Sequence, residues 1–177
     1  MSNSPLLLTA VAADLGGPDR PLMMEDIASV IGALREVEVA LFSWLGSTAP
    51  SLESSAEVAW ASGASLRAGW RATQLEPLVP VSVGVPGSGG DTASSGTALG
   101  TAVASLGQSR PQSGPGAVAG LALEWYDALL RAYEFRLGRL SAAADGPIER
   151  VFQRLVADLR AEQAAARTLR QRPGRDA

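Results

Sequence analysis

The sequence predicts an all-α protein, a four-helix bundle of two antiparallel helical hairpins. Apolar residues recur at three- and four-residue spacing in four long segments, as on the buried faces of helices. Proline and glycine separate these segments, and one Gly/Ser/Pro-rich stretch divides the first two from the last two. A chain of 177 residues is expected to fold as one domain that contains both hairpins.

The first hairpin is predicted over residues 24–80, after a leading segment, 1–23, that lacks the basic start of a secretory signal. Its first helix, 24–48, is followed by Pro50, and its second begins near Ser54 in a Ser-Ser-Ala-Glu capping arrangement and closes at Pro77 and Pro80. A short connection favours an antiparallel pair. The first helix carries one apolar seam: Ile27, Ile31, Leu34, Leu41 and Leu45.

Residues 81–116 are predicted to be a long flexible crossover. Nine of the 19 glycines lie there, among many serines, threonines and prolines. Such a segment buries too little apolar surface to offset the entropy of ordering it. The stretch has room for a short helical turn at 97–106, and it is long enough to traverse the bundle, because extended chain covers about 3.3 Å per residue.

The second hairpin is predicted over residues 117–171, followed by a frayed tail, 172–177. Asp145 and Pro147 suit the start of the fourth helix, which runs from 148 to about 171. The third helix, 117–140, has the most regular apolar seam of the chain: Leu123, Tyr126, Leu130, Tyr133, Leu137 and Leu140.

The composition excludes several kinds of chemistry. The chain has no histidine and no cysteine, and all 15 basic residues are arginines, so the commonest general base, thiol nucleophile and transition-metal ligand are absent. No catalytic residue is assigned, and the chain is expected not to be an enzyme. A net charge of −3 gives no attraction to nucleic acid, and no apolar run is long enough to span a membrane. A cysteine-free chain fits the cytoplasm, and arginine without lysine fits a GC-rich bacterial genome.

Four carboxylates lie on or beside the apolar seams. Glu38 interrupts the first seam, Glu162 and Asp158 lie on the fourth helix, and Glu134 lies beside the third seam. Two interpretations remain open. The acids converge on a divalent cation such as Mg, Mn, Ca or Fe, or they reach solvent and pair with Arg67, Arg71 or Arg131.

The second helix carries two tryptophans and two arginines. Trp60, Arg67, Trp70 and Arg71 could form an aromatic and cationic surface for a ligand or partner, or they are packing residues with arginine stems lying over the tryptophans. A third arrangement is a small-ligand pocket between the helices, lined by Trp70, Tyr126 and Tyr133.

Three segments, LREVEVALFSWLG, LRAGWRATQLEPLVP and ADGPIERVFQRLVADLRAEQ, resemble bacterial ferritin-like proteins. Di-iron members carry one glutamate on each of two helices and Glu-x-x-His on the other two. Glu38 and Glu134 match the single glutamates. Trp60 follows Glu57 where a histidine would stand, and Ala161 and Ala165 follow Asp158 and Glu162.

The resemblance therefore implies a divergent ferritin-like bundle without a standard di-iron centre. We expect a non-catalytic binding, scaffold or partner subunit without cofactor, which forms a homo-oligomer or a complex with a related helical protein. The alternatives are a metal protein that uses carboxylates alone, and a small-ligand binder.

Overall fold

The computed structural model describes residues 24–79, 98–109, 116–141 and 145–171. The predicted leading segment, the frayed tail and the remainder of the crossover lie outside these ranges. The described residues form five α-helices and no strand, which confirms the all-α class. The helices are α1 (Met24–Thr48), α2 (Ser55–Leu75), α3 (Ala98–Gln108), α4 (Ala117–Leu137) and α5 (Gly146–Gln171), with 3-10 turns at Ala49–Ser51 and Glu76–Leu78.

Helices α1 and α2 form an antiparallel pair with a very close approach. The buried face of α2 is built mainly from alanines, which keep the two backbones near each other. The Ser65 hydroxyl donates a hydrogen bond to the Phe42 carbonyl at 2.7 Å, and a Cβ added at Gly69 would lie 3.1 Å from the Phe42 ring. The small side chains of α2 therefore determine how closely the first hairpin packs.

Helix α3 lies within the predicted crossover, where the sequence left room for a short helical turn at 97–106. It extends over Ala98–Gln108 and packs on α1 through three buried residues, Leu99, Ala102 and Leu106. The Trp44 indole N–H donates to the Ser109 carbonyl at 3.1 Å, which attaches the end of α3 to α1. Local composition favoured flexibility here, but burial of the α3 apolar stripe against α1 offsets the entropy of ordering it.

Helices α4 and α5 form the second antiparallel pair. Helix α4 ends at Leu137, before the predicted boundary, and α5 begins at Gly146 rather than at residue 148. The Tyr133 and Phe152 rings meet edge to face with centroids 5.2 Å apart. Helix α4 buries a wider face than its predicted seam, because Trp125 and Leu129 are buried as well.

Contacts between α2 and α5 join the two pairs, and one continuous core runs through all five helices. Within the described residues, no helix has both the length and the apolar character that crossing a membrane requires.

Candidate functional site: a buried arginine and carboxylate cluster

Glu38 and Arg71 form an ion pair in the interior, and both side chains are 0% exposed. Arg71 Nε lies 2.9 Å from each carboxylate oxygen of Glu38. Glu38 comes from α1, where it takes a seam position, and Arg71 takes the equivalent position on α2, between the buried Ala68 and Leu75. Two charges at seam spacing thus meet because the hairpin is antiparallel.

The same guanidinium also reaches α5. Arg71 Nη1 donates to Asp158 Oδ2 at 2.7 Å, and the Asp158 side chain is 24% exposed. From α4, the Tyr133 hydroxyl donates to Glu38 Oε1 at 3.4 Å, a long hydrogen bond. One arginine therefore links residues of α1 and α5, and α4 supplies a third polar contact.

A second layer lies one helical turn away. Arg67 Nε contacts Glu162 Oε1, where Glu162 is buried and Arg67 is partly exposed. Because Arg67 precedes Arg71 by four residues and Glu162 follows Asp158 by four, the two pairs repeat along the antiparallel α2 and α5. Tyr126 is fully buried beside this column, with its ring centroid 6.0 Å from Arg71 Cζ.

Burial controls the titration of this cluster. It raises the pKa of Glu38 above its ordinary value, and the nearby Arg71 only partly opposes the shift. Burial lowers the pKa of Arg71, but the Glu38 carboxylate and the hydrogen bond to Asp158 together outweigh this effect, and the pKa ends above its ordinary value. The pKa values of Tyr126 and Tyr133 are raised, first by burial and then by the charges of Glu162 and Glu38 respectively. Both tyrosines are therefore neutral at physiological pH.

The four predicted metal ligands do not share one centre. Arg71 lies between Glu38 and Asp158, and Glu162 contacts Arg67. Glu134 lies on the surface, 2.8 Å from Arg160. Among the described residues, no three acids stand together as ligands of a metal ion. A cation between Glu38 and Asp158 would meet the Arg71 guanidinium, so the residues do not fit a di-iron or other metal centre.

The four residues predicted to form one surface on α2 lie in different surroundings. Trp70 is exposed, Arg71 is buried, and Trp60 packs half-buried against the core. Tyr126 and Tyr133 adjoin the cluster instead of sharing a pocket with Trp70. A cavity of about 10 Å³ lies elsewhere, between α1, α4 and α5, and its lining includes Arg136 and Phe152.

Two further polar residues are buried: Glu57, which the sequence placed before Trp60 without a role of its own, and Arg136, to which the sequence gave no role. Glu57 Oε1 accepts the Gly116 N–H at 2.5 Å and so satisfies a donor at the start of α4. Arg136 is buried on α4, with its Cζ 4.9 Å from the centroid of the Phe135 ring. Arg136 follows Tyr133 by three residues, so the sequence has a charged residue where the apolar spacing of the helix expects a buried one. The same pattern identified Glu38.

The outer face of the first hairpin exposes large apolar side chains. Leu66 is 70% exposed, Phe42 43%, Val39 38% and Trp70 37%. Smaller exposed residues continue the same face toward the connection between α1 and α2: Ser43, Gly46, Ser47, Ala59 and Ser62. We call these nine residues the hairpin face. No charged residue occurs in 39–52 or in 58–66, and Arg67, which is 43% exposed, borders the face between Leu66 and Trp70.

The chain matches no protein-family model, no curated protein and no solved structure.

Proposed function

We propose that this chain is a non-catalytic, ferritin-like four-helix bundle that works as a binding or partner subunit. The observation that carries the proposal is the hairpin face, a largely apolar surface with aromatic side chains and no charge. Interface centres are depleted in charged residues and enriched in aromatic ones. Exposed apolar patches of this kind mark sites of association.

The interior supports a structural role. Arg71 satisfies Glu38 and Asp158, the positions at which the ferritin-like resemblance would otherwise suggest metal ligands. The buried Glu38–Arg71 pair within the first hairpin and the Arg71–Asp158 contact between the hairpins hold α1, α2 and α5 in one arrangement. The cluster therefore acts as an internal cross-link of the bundle, and we place the binding site on the outer surface.

The two hairpins differ in surface chemistry. The exposed side of α4 and α5 carries many charges, among them Glu124, Arg131, Arg154, Arg160 and Arg167. Such a mixed-charge surface is typical of a solvated face. The contrast indicates that the first hairpin is the side that is covered in the assembled protein, which we place in the cytoplasm.

Affinity capture from the native host with matched baits tests this function. The baits are the wild-type chain, Leu66→Asp on the hairpin face, and Ala161→Asp on the exposed side of α5. We expect the wild type and Ala161→Asp to retain the same binding partner, including any second copy of the chain, and Leu66→Asp to lose it. Equal capture by all three baits would refute a docking role for the hairpin face.

A further inference from the structure

We propose that the occupant of the hairpin face is a second copy of this chain, docked about a two-fold axis. This inference rests on the proposed function and names the partner of the same surface. The face is self-complementary in side-chain size and in charge, and these two properties carry the argument.

Large and small side chains are separated along the hairpin face. Phe42 and Trp70 lie at nearly the same level of the antiparallel pair, because Phe42 packs on Gly69. Gly46, Ser47 and Ser62 lie nearer the connection between the helices. Leu66, which is 70% exposed, projects between the two ends, near the level of Gly46. The face thus has a raised end and a flat end.

A two-fold axis that lies in the face, perpendicular to the helices, places the raised end of each copy on the flat end of the other. Helix α1 then crosses the α1 of the partner in the antiparallel sense, and α2 crosses the partner's α2. With the axis at the level of residues 44 and 45, Phe42 lies over the partner's Ser47. Trp70 reaches the level of the partner's Gly63, where it meets the guanidinium of the partner's Arg67, whose Nη1 lies 3.2 Å from the position of a Cβ added at Gly63. Both contacts occur twice, as in any isologous interface.

Charges at the two ends of the first hairpin are complementary under the same operation. Arg35 precedes Val39 by four residues and Phe42 by seven, so it lies on the same side of α1, at the raised end. Its guanidinium lies 4.0 Å from Glu76 of the same chain, and its side chain is still 43% exposed. Glu53 is exposed in the connection beyond the flat end. The axis brings Arg35 to the level of the partner's Glu53. The charged side chain nearest the axis is Arg67, which is 43% exposed and forms an ion pair with Glu162 of the same chain.

The size of the face predicts a weak dimer. The exposed stripes extend about 20 Å along a hairpin about 20 Å wide, given 1.5 Å per helical residue and a helix diameter of about 10 Å. The footprint is therefore on the order of 400 Å² per copy, roughly half of a standard interface. Association is expected to be reversible and to depend on protein concentration.

Sedimentation velocity over a wide concentration range tests the dimer with untagged full-length protein. We expect the wild type and Ala161→Asp to dimerise as concentration rises, and Leu66→Asp to raise the dissociation constant about tenfold or more, since the substitution occurs twice per dimer. Because Leu66 is 70% exposed, circular dichroism at a concentration at which all three proteins are monomeric should show the same fold and thermal midpoint.

Cross-linking tests the position of the axis. The chain has no cysteine, so Ser43→Cys supplies a single thiol close to the predicted axis, and Ala161→Cys is the matched control on α5. A short bis-maleimide should link two copies of Ser43→Cys and leave Ala161→Cys monomeric. A dimer that Leu66→Asp does not weaken, or one that links only through Ala161→Cys, would overturn the proposal.

A wild type that stays monomeric at all concentrations also overturns the dimer. If affinity capture then still shows a different protein lost from Leu66→Asp, the proposed partner function stands with another occupant. If capture shows no such difference, both proposals fail. If the wild type is monomeric and Leu66→Asp lowers the thermal midpoint, another part of the same chain covers the hairpin face. That result also excludes the second copy.

Discussion

Replacing Arg71 by methionine should destabilise the protein strongly. Methionine keeps helix propensity and much of the side-chain length, so the main loss is the guanidinium. Glu38 would be left 0% exposed without its ion pair, and Asp158 would lose a 2.7 Å hydrogen bond. Removal of one partner from a buried pair costs about 3–5 kcal/mol, a large part of the roughly 5–15 kcal/mol that stabilises a typical domain.

The double variant Glu38→Leu/Arg71→Met separates charge from packing. It removes both fully buried charges, and Asp158 can turn its partly exposed carboxylate to solvent. Because replacement of a whole buried pair by apolar residues is often neutral, we expect the double variant to recover most of the stability that the single variant loses.

Urea denaturation followed by far-ultraviolet circular dichroism and tryptophan fluorescence measures both variants against the wild type. A cost below about 1 kcal/mol for Arg71→Met, or a double variant less stable than the single one, would contradict the role assigned to the ion pair.

Three further predictions concern the same framework. Burial raises the pKa of Glu38 in the folded state, so the folded chain binds this proton at a higher pH than the unfolded chain does. Acidification toward pH 4.5 should therefore stabilise the wild type relative to Glu38→Gln. Urea midpoints measured across this pH range would reject the prediction if they showed the opposite trend. Gly116→Ala should cost at least about 1–3 kcal/mol, because φ is +75° and a Cβ would lie 2.9 Å from Arg170 Cα, whereas Gly32→Ala in α1, with open space around it, should stabilise by about 0.5–1 kcal/mol. Trp44→Phe should lose about 1 kcal/mol with its hydrogen bond to Ser109 and increase amide exchange in α3; unchanged exchange would argue against this attachment.

Much of the secondary structure could be predicted from apolar spacing. Most residues of the α1 and α4 seams are buried, and the four long helices occur near their predicted positions. Ile27 and Leu137 are half-buried, and Leu140 lies beyond the end of α4. Helix α3 was underestimated because its stability depends on a surface supplied by α1, and local composition contains no information about that surface. Pairing of the seam acids with Arg67 or Arg71 was one of the two interpretations that the sequence left open, and the observed ion pairs of Arg71 and Arg67 correspond to it.

The sequence by itself determined the helical class, the absence of histidine and cysteine chemistry, and the presence of charges at core positions. These properties follow from residue type and from spacing along one helix, both of which are local. The tertiary structure adds that Arg71 joins Glu38 to Asp158, that Glu134 lies outside this cluster, and that Trp70 is exposed whereas Tyr126 and Tyr133 are buried. Those relations depend on the register between helices, which is set by the close packing of small side chains of α2 against α1. The spacing of residues along a single helix contains no information about that register.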